Sequence, residues 1–122
     1  MKIYRIAQSE ITVYHGTNDV FEGFDSSKSQ SGYYPGFYVT SSKDLASTYG
    51  SKIIYFTLQP SKYYEISNNK DAEDLKQKAK LEGHNVTIGS GYGECEYLKK
   101  IGYHGIKRGS EYIVFDPETN LS

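Results

Sequence analysis

The stretch ITVYHGT, residues 11–17, has the composition of a β-strand that ends in a histidine and a glycine. Its first four residues are β-branched or aromatic, as is typical of strands. Glycine follows His15 directly, and a glycine at a strand end lets another backbone or a ligand approach closely. Two interpretations follow: a tight turn that leaves the imidazole in water, or a strand end at the edge of a cleft. The rest of the chain has to decide between them.

The composition is that of one small domain. The chain has 122 residues, of which 37% are hydrophobic, enough for a single core. Its 13 tyrosines and 12 glycines favour a small β-containing fold with aromatic-lined clefts. The sequence contains no internal repeat and no linker. We therefore expect a single α+β domain over residues 1–122.

Charge and cysteine content narrow the classes of function. The formal net charge of −1 argues against nonspecific nucleic-acid binding, although a local basic strip stays open. Cys95 is the only cysteine, so we expect no intrachain disulfide and no metal site, and a thiol that faces the core. Residues 1–10 lack the apolar core of a signal peptide, and no apolar run could span a membrane. We expect a monomer in a reducing cytosol.

Hydrophobic periodicity predicts alternating short strands and helices. Residues 18–35 are rich in Asn, Asp, Gly, Ser and Pro, which predicts a long surface loop. A short helix should begin at Ser41 or Ser42 and end at Gly50. Further helices are predicted at 70–82 and 94–102, and strands at 2–6, 11–15, 36–40, 52–59, 62–67 (as a hairpin with the strand before it), 103–109 and 111–117.

Three stretches together resemble a known class of enzymes. They are YHGT at 14–17, GFY at 36–38 followed by Tyr49, and EYIVFD at 111–116. In order and content they resemble the motifs of the His-Tyr-Glu ADP-ribosyltransferases, which include the poly(ADP-ribose) polymerases and diphtheria-toxin-like enzymes. The resemblance is strongest to the small ADP-ribosyltransferase domains of phage and plasmid polyvalent proteins, and it covers residues 11–117. His104 departs from that pattern, because it stands where Asp is usual.

The resemblance implies a fold and an activity. The fold would be α+β and ADP-ribosyltransferase-like, with two small antiparallel sheets packed around an NAD cleft and short peripheral helices. The activity would be mono-ADP-ribosylation, in which NAD is cleaved at the nicotinamide–ribose bond and ADP-ribose passes to an acceptor. We expect a macromolecular acceptor, a protein ahead of nucleic acid. By analogy with phage-associated domains, it would be a host component in phage–host conflict.

The chemistry of NAD cleavage requires a negatively charged carboxylate and does not require a general acid. The leaving nicotinamide is already cationic, so nothing has to protonate it. The oxocarbenium-like transition state, however, is stabilised by a nearby negative charge. Glu111, at the start of a predicted strand, is the candidate for this role. It would accept a hydrogen bond from the 2′-hydroxyl of the nicotinamide ribose and help to activate the acceptor.

The other candidates would hold NAD. Tyr38 and Tyr49 would sandwich the nicotinamide ring, so phenylalanine should serve at either position. Gly16 would offer its backbone N–H and C=O to the carboxamide. By the resemblance, His15 would bond the adenosine ribose, with Thr17 nearby. The predicted catalytic residues are thus Glu111, His15 and Tyr38, and the predicted NAD-binding residues are His15, Gly16, Thr17, Tyr38 and Tyr49.

Other interpretations stay open beside this one. Arg5, residues 40–42 and residues 94–96 resemble the Arg, Ser-Thr-Ser and Glu-x-Glu motifs of the Arg-Ser-Glu transferases. The residues after 94–96, however, have helical spacing, so Glu94 and Glu96 are better explained as the acidic first turn of a helix. The fold could also carry a noncatalytic module that binds NAD, ADP-ribose or a protein. An NAD glycohydrolase, with water as acceptor, would use the same site.

Overall fold

One mixed β-sheet organises the protein. The structure, a computed structural model, describes residues 10–18, 34–86 and 91–122. The strands it describes form a single hydrogen-bonded sheet in the order β3-β1-β2-β6-β5-β4. They are β1 (Ile11–Thr17), β2 (Phe37–Thr40), β3 (Lys52–Leu58), β4 (Tyr63–Glu65), β5 (Gly105–Arg108) and β6 (Glu111–Val114). The helices described are α1 (Lys43–Ser47), α2 (Asn69–Leu81), α3 (Tyr92–Lys100) and α4 (Pro117–Asn120). The α+β class is confirmed. The strand predicted at 2–6 and most of the loop predicted at 18–35 lie outside the described residues.

The sheet has one weak junction, between β1 and β2. β1 pairs with β3 along its whole length, and β2 pairs with β6 along its whole length. β1 and β2, by contrast, share one Cα pairing, between Tyr14 and Thr40. The two separate sheets that we predicted are not confirmed. The described strands instead form one sheet with two halves, β3-β1 and β2-β6-β5-β4, which meet at this junction.

β4 lies at the opposite edge of the sheet from β3. The hairpin predicted for residues 62–67 is therefore wrong. A 3₁₀ turn begins at Pro60, and β4 then runs parallel to β5. Residues 59–61 lack the Asn-Gly or Gly-X pair that a tight hairpin favours. Tyr63 is buried against Tyr112, with ring centroids 5.3 Å apart, so burial of an aromatic ring favours pairing at the far edge.

Side chains alternate along the strands and build a core on each face of the sheet. Phe37 and Val39 of β2 pack with β1, β3 and β6 in one cluster. Tyr38 packs against the other cluster, which contains Leu75 of α2 and Leu98 of α3. The helices α2 and α3 thus cover the face on which Tyr38 lies.

The helix boundaries follow local signals in the sequence. α1 is capped by Ser42, whose hydroxyl accepts the N–H of Leu45 at 3.1 Å, as predicted. α2 is capped in the same way by Asn68. α3 begins at Tyr92, two residues before the predicted start at residue 94. In the described ranges, no helix has the length and apolar character needed to cross a membrane.

Cys95 of α3 is a core residue, as predicted. It is buried in the same cluster as Leu75 and Leu98. Burial, and then the charge of Glu94, raises the pKa of its thiol to about 12. The thiolate is the reactive form of cysteine, and the raised pKa keeps Cys95 in the less reactive thiol form at neutral pH.

Candidate active site

The His15 side chain of β1 contacts two residues of β2. Its Nδ1 lies 2.9 Å from the carbonyl oxygen of Tyr38, and its ring stacks on Phe37 with centroids 4.4 Å apart. A carbonyl oxygen can only accept, so Nδ1 carries the proton in this arrangement. Next to the pairing of Tyr14 with Thr40, this side-chain bond is a further link between β1 and β2.

Gly16 is required by the packing of α1 against β1. A Cβ at Gly16 would overlap the carbonyl oxygen of Ala46, and a Cβ at Gly50 would overlap the backbone of Thr17. The backbone of α1 therefore rests directly on β1, which only glycine permits. This contact is one reason why a glycine follows the histidine, and the sequence alone did not reveal it. The predicted contact of Gly16 with a carboxamide stays a prediction.

Glu111 lies at the end of the sheet where the β5–β6 hairpin turns. Gly109 adopts a φ of +62° in this turn, a left-handed conformation that suits glycine. The carbonyl oxygen of Ser110 accepts the N–H of Ser41 at 2.8 Å and the hydroxyl of Thr40 at 3.0 Å. These bonds tie the hairpin to the end of β2. They hold the backbone of Glu111 beside Thr40, its Cα partner.

Tyr49, just after α1, reaches the Glu111 carboxylate. Its hydroxyl donates to Oε2 of Glu111 at 3.2 Å. Partial burial, and then the charge of Glu111, raises the pKa of Tyr49 above its ordinary value. The hydroxyl therefore keeps its proton at neutral pH and acts as a donor. Tyr49 is 49% exposed, so a ligand has access to this side chain.

Tyr38 lies on the same face of the sheet as Glu111. Its Cα partner is Ile113, two residues after Glu111, and side chains two residues apart in a strand share a face. The Tyr38 hydroxyl donates to the carbonyl oxygen of Tyr34 at 2.7 Å, and its ring packs against the cluster under α2 and α3. Tyr38 is thus partly a packing residue, with a half-buried side chain.

The structure brings the predicted site residues together in two sets. Tyr38, Tyr49 and Glu111 form one set, on the face that α1, α2 and α3 cover. His15 stacks on Phe37, which belongs to the opposite cluster, and it meets the first set through its bond to the Tyr38 carbonyl. The sequence analysis assigned all of these residues to one NAD cleft; the structure instead places the His15 ring on the opposite face of the sheet from Tyr38 and Glu111.

Several residues around Glu111 were missed by the sequence analysis. Thr40, Ser41 and Ser110 were not predicted to fix the hairpin, although the Gly109-Ser110 pair is a turn signal that pointed to it. Arg108 is the Cα partner of Glu111 in β5 and shares its face of the sheet. Its guanidinium therefore contributes positive charge to this end of the sheet.

The Arg-Ser-Glu interpretation does not match the described residues. Glu94 lies in the first turn of α3, where it is buried, and not before a strand. Residues 40–42 bind the hairpin and cap α1, and Arg5 lies outside the described ranges. Across residues 10–18, 34–86 and 91–122, no three His, Cys, Asp or Glu side chains come close enough to hold a metal ion.

A comparison with family models identifies the kind of domain. The model described as ADP-Ribosyltransferase in polyvalent proteins matches residues 9–119. The chain belongs to this family. The match includes both sets of site residues in the ADP-ribosyltransferase domain, from His15 to Glu111, and it confirms the resemblance inferred from the three motifs. Searches of curated proteins and of solved structures returned no match.

Proposed function

We propose that the protein is a mono-ADP-ribosyltransferase that cleaves NAD and transfers ADP-ribose to a macromolecular acceptor. The observation that carries this proposal is the contact between Tyr49 and Glu111. It brings an aromatic ring and a carboxylate to one point at the end of the sheet. The cationic nicotinamide ring favours an aromatic face, and the oxocarbenium-like ribose favours a carboxylate. Membership of an ADP-ribosyltransferase family supports the same chemistry.

NAD would lie across the β1–β2 junction. The nicotinamide ring would stack between Tyr38 and Tyr49, with its ribose at Glu111. The adenosine ribose would lie at His15, with Thr17 nearby. In the described part of the chain, Gly16 lies two residues after Tyr14, where β1 pairs with β2, and it pairs with Ile53 of β3. The assignment of the carboxamide to the backbone of Gly16 rests on the motif resemblance.

The proposed reaction balances with the groups at hand. The C1′–N bond breaks, and both of its electrons pass to nicotinamide, which leaves as a neutral molecule. Positive charge develops on C1′ and the ribose ring oxygen, where the Glu111 carboxylate stabilises it. Glu111 also accepts a hydrogen bond from the 2′-hydroxyl. The acceptor nucleophile then bonds to C1′ and releases its proton to Glu111 or to solvent.

The acceptor that we propose is a protein of a host cell, modified in the cytosol by a monomeric enzyme during phage–host conflict. The support for this role is the description of the family, which places such domains in polyvalent proteins, together with the motif resemblance. Nucleic acid is the second candidate acceptor. Arg108, beside Glu111, would attract an acidic surface of either kind.

The test uses purified protein, NAD labelled in its adenosine part, and a bacterial lysate. The wild type should release nicotinamide and transfer label to macromolecules, and Glu111→Gln should do both roughly 10²-fold more slowly. Protease or nuclease treatment would show which class carries the label. Nicotinamide release without label transfer would support a glycohydrolase. Binding of NAD without any nicotinamide release would contradict an enzymatic role and support a noncatalytic module.

A further inference from the structure

The Glu111 side chain needs a group that holds it in place. The hairpin bonds fix its backbone, but three side-chain torsions separate the backbone from the carboxylate. Glu111 is half-buried at the end of the sheet, so packing restrains the side chain only in part. In the residues that the structure describes, the Tyr49 hydroxyl is the hydrogen-bond partner seen for this carboxylate.

We propose that the Tyr49 hydroxyl is a positioning group, which holds the Glu111 carboxylate in its reactive orientation. This inference rests on the proposed function, because it assigns a second role to a residue of the same site. The Tyr49 ring would stack on nicotinamide while its hydroxyl fixes the carboxylate. Tyr49 would then align two groups at the bond to be cleaved: its own ring against nicotinamide, and the Glu111 carboxylate against the ribose.

Tyr49 is itself held rigidly enough for this task. It follows Thr48, the C-cap of α1, and its N–H donates to the carbonyl oxygen of Ala46 at 3.0 Å. Ala46 is the residue whose backbone rests on Gly16, and Gly50 brings the chain against Thr17. Backbone contacts with β1 therefore lie on both sides of Tyr49. The contacts with β1 thus fix the backbone of Tyr49, whose hydroxyl binds the Glu111 carboxylate.

The contact leaves the carboxylate able to act on the ribose. Tyr49 uses Oε2, and a carboxylate has two oxygens with about four acceptor positions in total. Oε1 can thus accept the 2′-hydroxyl of NAD while Tyr49 stays in place. The raised pKa of Tyr49, which comes from partial burial and from Glu111, keeps the hydroxyl protonated throughout the physiological range.

The Tyr49→Phe variant distinguishes a residue that only stacks on nicotinamide from one that also positions Glu111. Stacking alone predicts normal turnover, because the ring is retained. Positioning predicts that kcat falls about tenfold while KM for NAD stays near its wild-type value, on the scale of one hydrogen bond to a charged group. Tyr55→Phe is the matched control, since Tyr55 is an exposed tyrosine of β3. Unchanged kcat in Tyr49→Phe would overturn the positioning role.

A double-mutant cycle separates positioning from a general effect on structure. In the Glu111→Gln background, Tyr49→Phe should cause no further loss of kcat, because the group being positioned has already been altered. A further tenfold loss in that background would mean that Tyr49 acts independently of Glu111, which would contradict the proposal. Melting temperatures of all variants show whether any difference reflects loss of folded protein.

A titration tests the contact between Tyr49 and Glu111 without measuring enzymatic activity. With ¹³C-labelled tyrosine, NMR follows the ionisation of Tyr49, whose pKa should fall toward its ordinary value in Glu111→Gln. Tyr34 is the control, because its pKa, about 12, is raised by its own burial and by Glu94. An unchanged Tyr49 pKa would overturn the contact. If the pKa falls but the wild type has no NAD turnover, the proposed function fails and the positioning role fails with it, while the contact stands.

Discussion

The two halves of the sheet hold their site residues in different ways. In the β2-β6-β5-β4 half, backbone bonds from β2 fix the hairpin that ends at Glu111. In the β3-β1 half, His15 is held by a bond from its own side chain to the Tyr38 carbonyl and by stacking on Phe37. The first arrangement fixes a backbone through bonds at the end of β2. The second fixes a side chain through one bond and one ring contact.

The two halves of the sheet also differ in how deeply their strands are buried. β6, the strand that begins at Glu111, is buried on both faces, as Tyr112, Ile113 and Val114 show. β3, in the other half, leaves Tyr55 71% exposed. α1 bridges the halves, because its backbone rests on β1 and the tyrosine after it reaches Glu111. The β1–β2 junction is thus where two differently built parts of the sheet meet.

The largest expected effect is on catalysis at Glu111. Glu111→Gln and Glu111→Ala should lower kcat roughly 10²-fold or more and leave NAD affinity nearly unchanged, because the carboxylate acts mainly on the transition state. The assay is nicotinamide release, with NAD binding measured by calorimetry. Glu118→Gln, an exposed carboxylate of α4, is the control. Near-normal turnover of the Glu111 variants would remove Glu111 from its role.

The second-largest effect is expected at Gly16, where the backbone of α1 packs on β1. Gly16→Ala should destabilise the fold by about 1–3 kcal/mol, the usual cost of overpacking, because the new Cβ overlaps the α1 backbone. Thermal unfolding measures this, with Thr12→Ala at an exposed position of β1 as control. A Gly16→Ala protein that melts like the wild type but no longer binds NAD would assign the glycine to the ligand and not to α1.

The third effect concerns the His15 side chain, which joins β1 to β2. His15→Ala should raise KM for NAD more than it lowers kcat, because its proposed contacts lie on the adenosine side. Loss of the bond to Tyr38 should also lower the free energy of unfolding by about 1 kcal/mol. Steady-state kinetics and thermal unfolding on the same preparation separate the effect on KM from the effect on stability. An unchanged KM would leave His15 with a structural role alone.

The smallest effect is expected at the Tyr38 hydroxyl. Tyr38→Phe should keep NAD turnover, since the ring is retained, but should cost about 0.5–1.5 kcal/mol of stability through the lost bond to the Tyr34 carbonyl. Chemical denaturation is the measurement. A Tyr38→Phe variant with normal stability and reduced turnover would give this hydroxyl the kind of role proposed for Tyr49.

Local signals in the sequence were sufficient to predict much of this fold. Ser42 as an N-cap, the charged helix α2, and a carboxylate at the start of the last strand all depend on neighbouring residues, so short patterns reveal them. The ordered motifs predicted the family before any geometry was known.

Long-range pairing was less accessible to sequence analysis. The parallel partner of β4 and the single pairing at the β1–β2 junction depend on residues far apart in the chain. The contact of Gly16 with Ala46 and the bond from Tyr49 to Glu111 have the same origin. No short pattern specifies such contacts, because they arise when separate elements compete to bury the same surfaces.

The most direct test of the account is whether the two sets of residues hold two ends of one ligand. NAD and ADP-ribose, which lacks the nicotinamide ring, are titrated against Tyr49→Ala and His15→Ala, and the fraction of folded protein is checked for each. Tyr49→Ala should weaken NAD by about 0.5–1.5 kcal/mol beyond simple area loss and leave ADP-ribose nearly unaffected. His15→Ala should weaken both ligands. Equal losses for NAD and ADP-ribose in Tyr49→Ala would contradict a substrate that spans the junction.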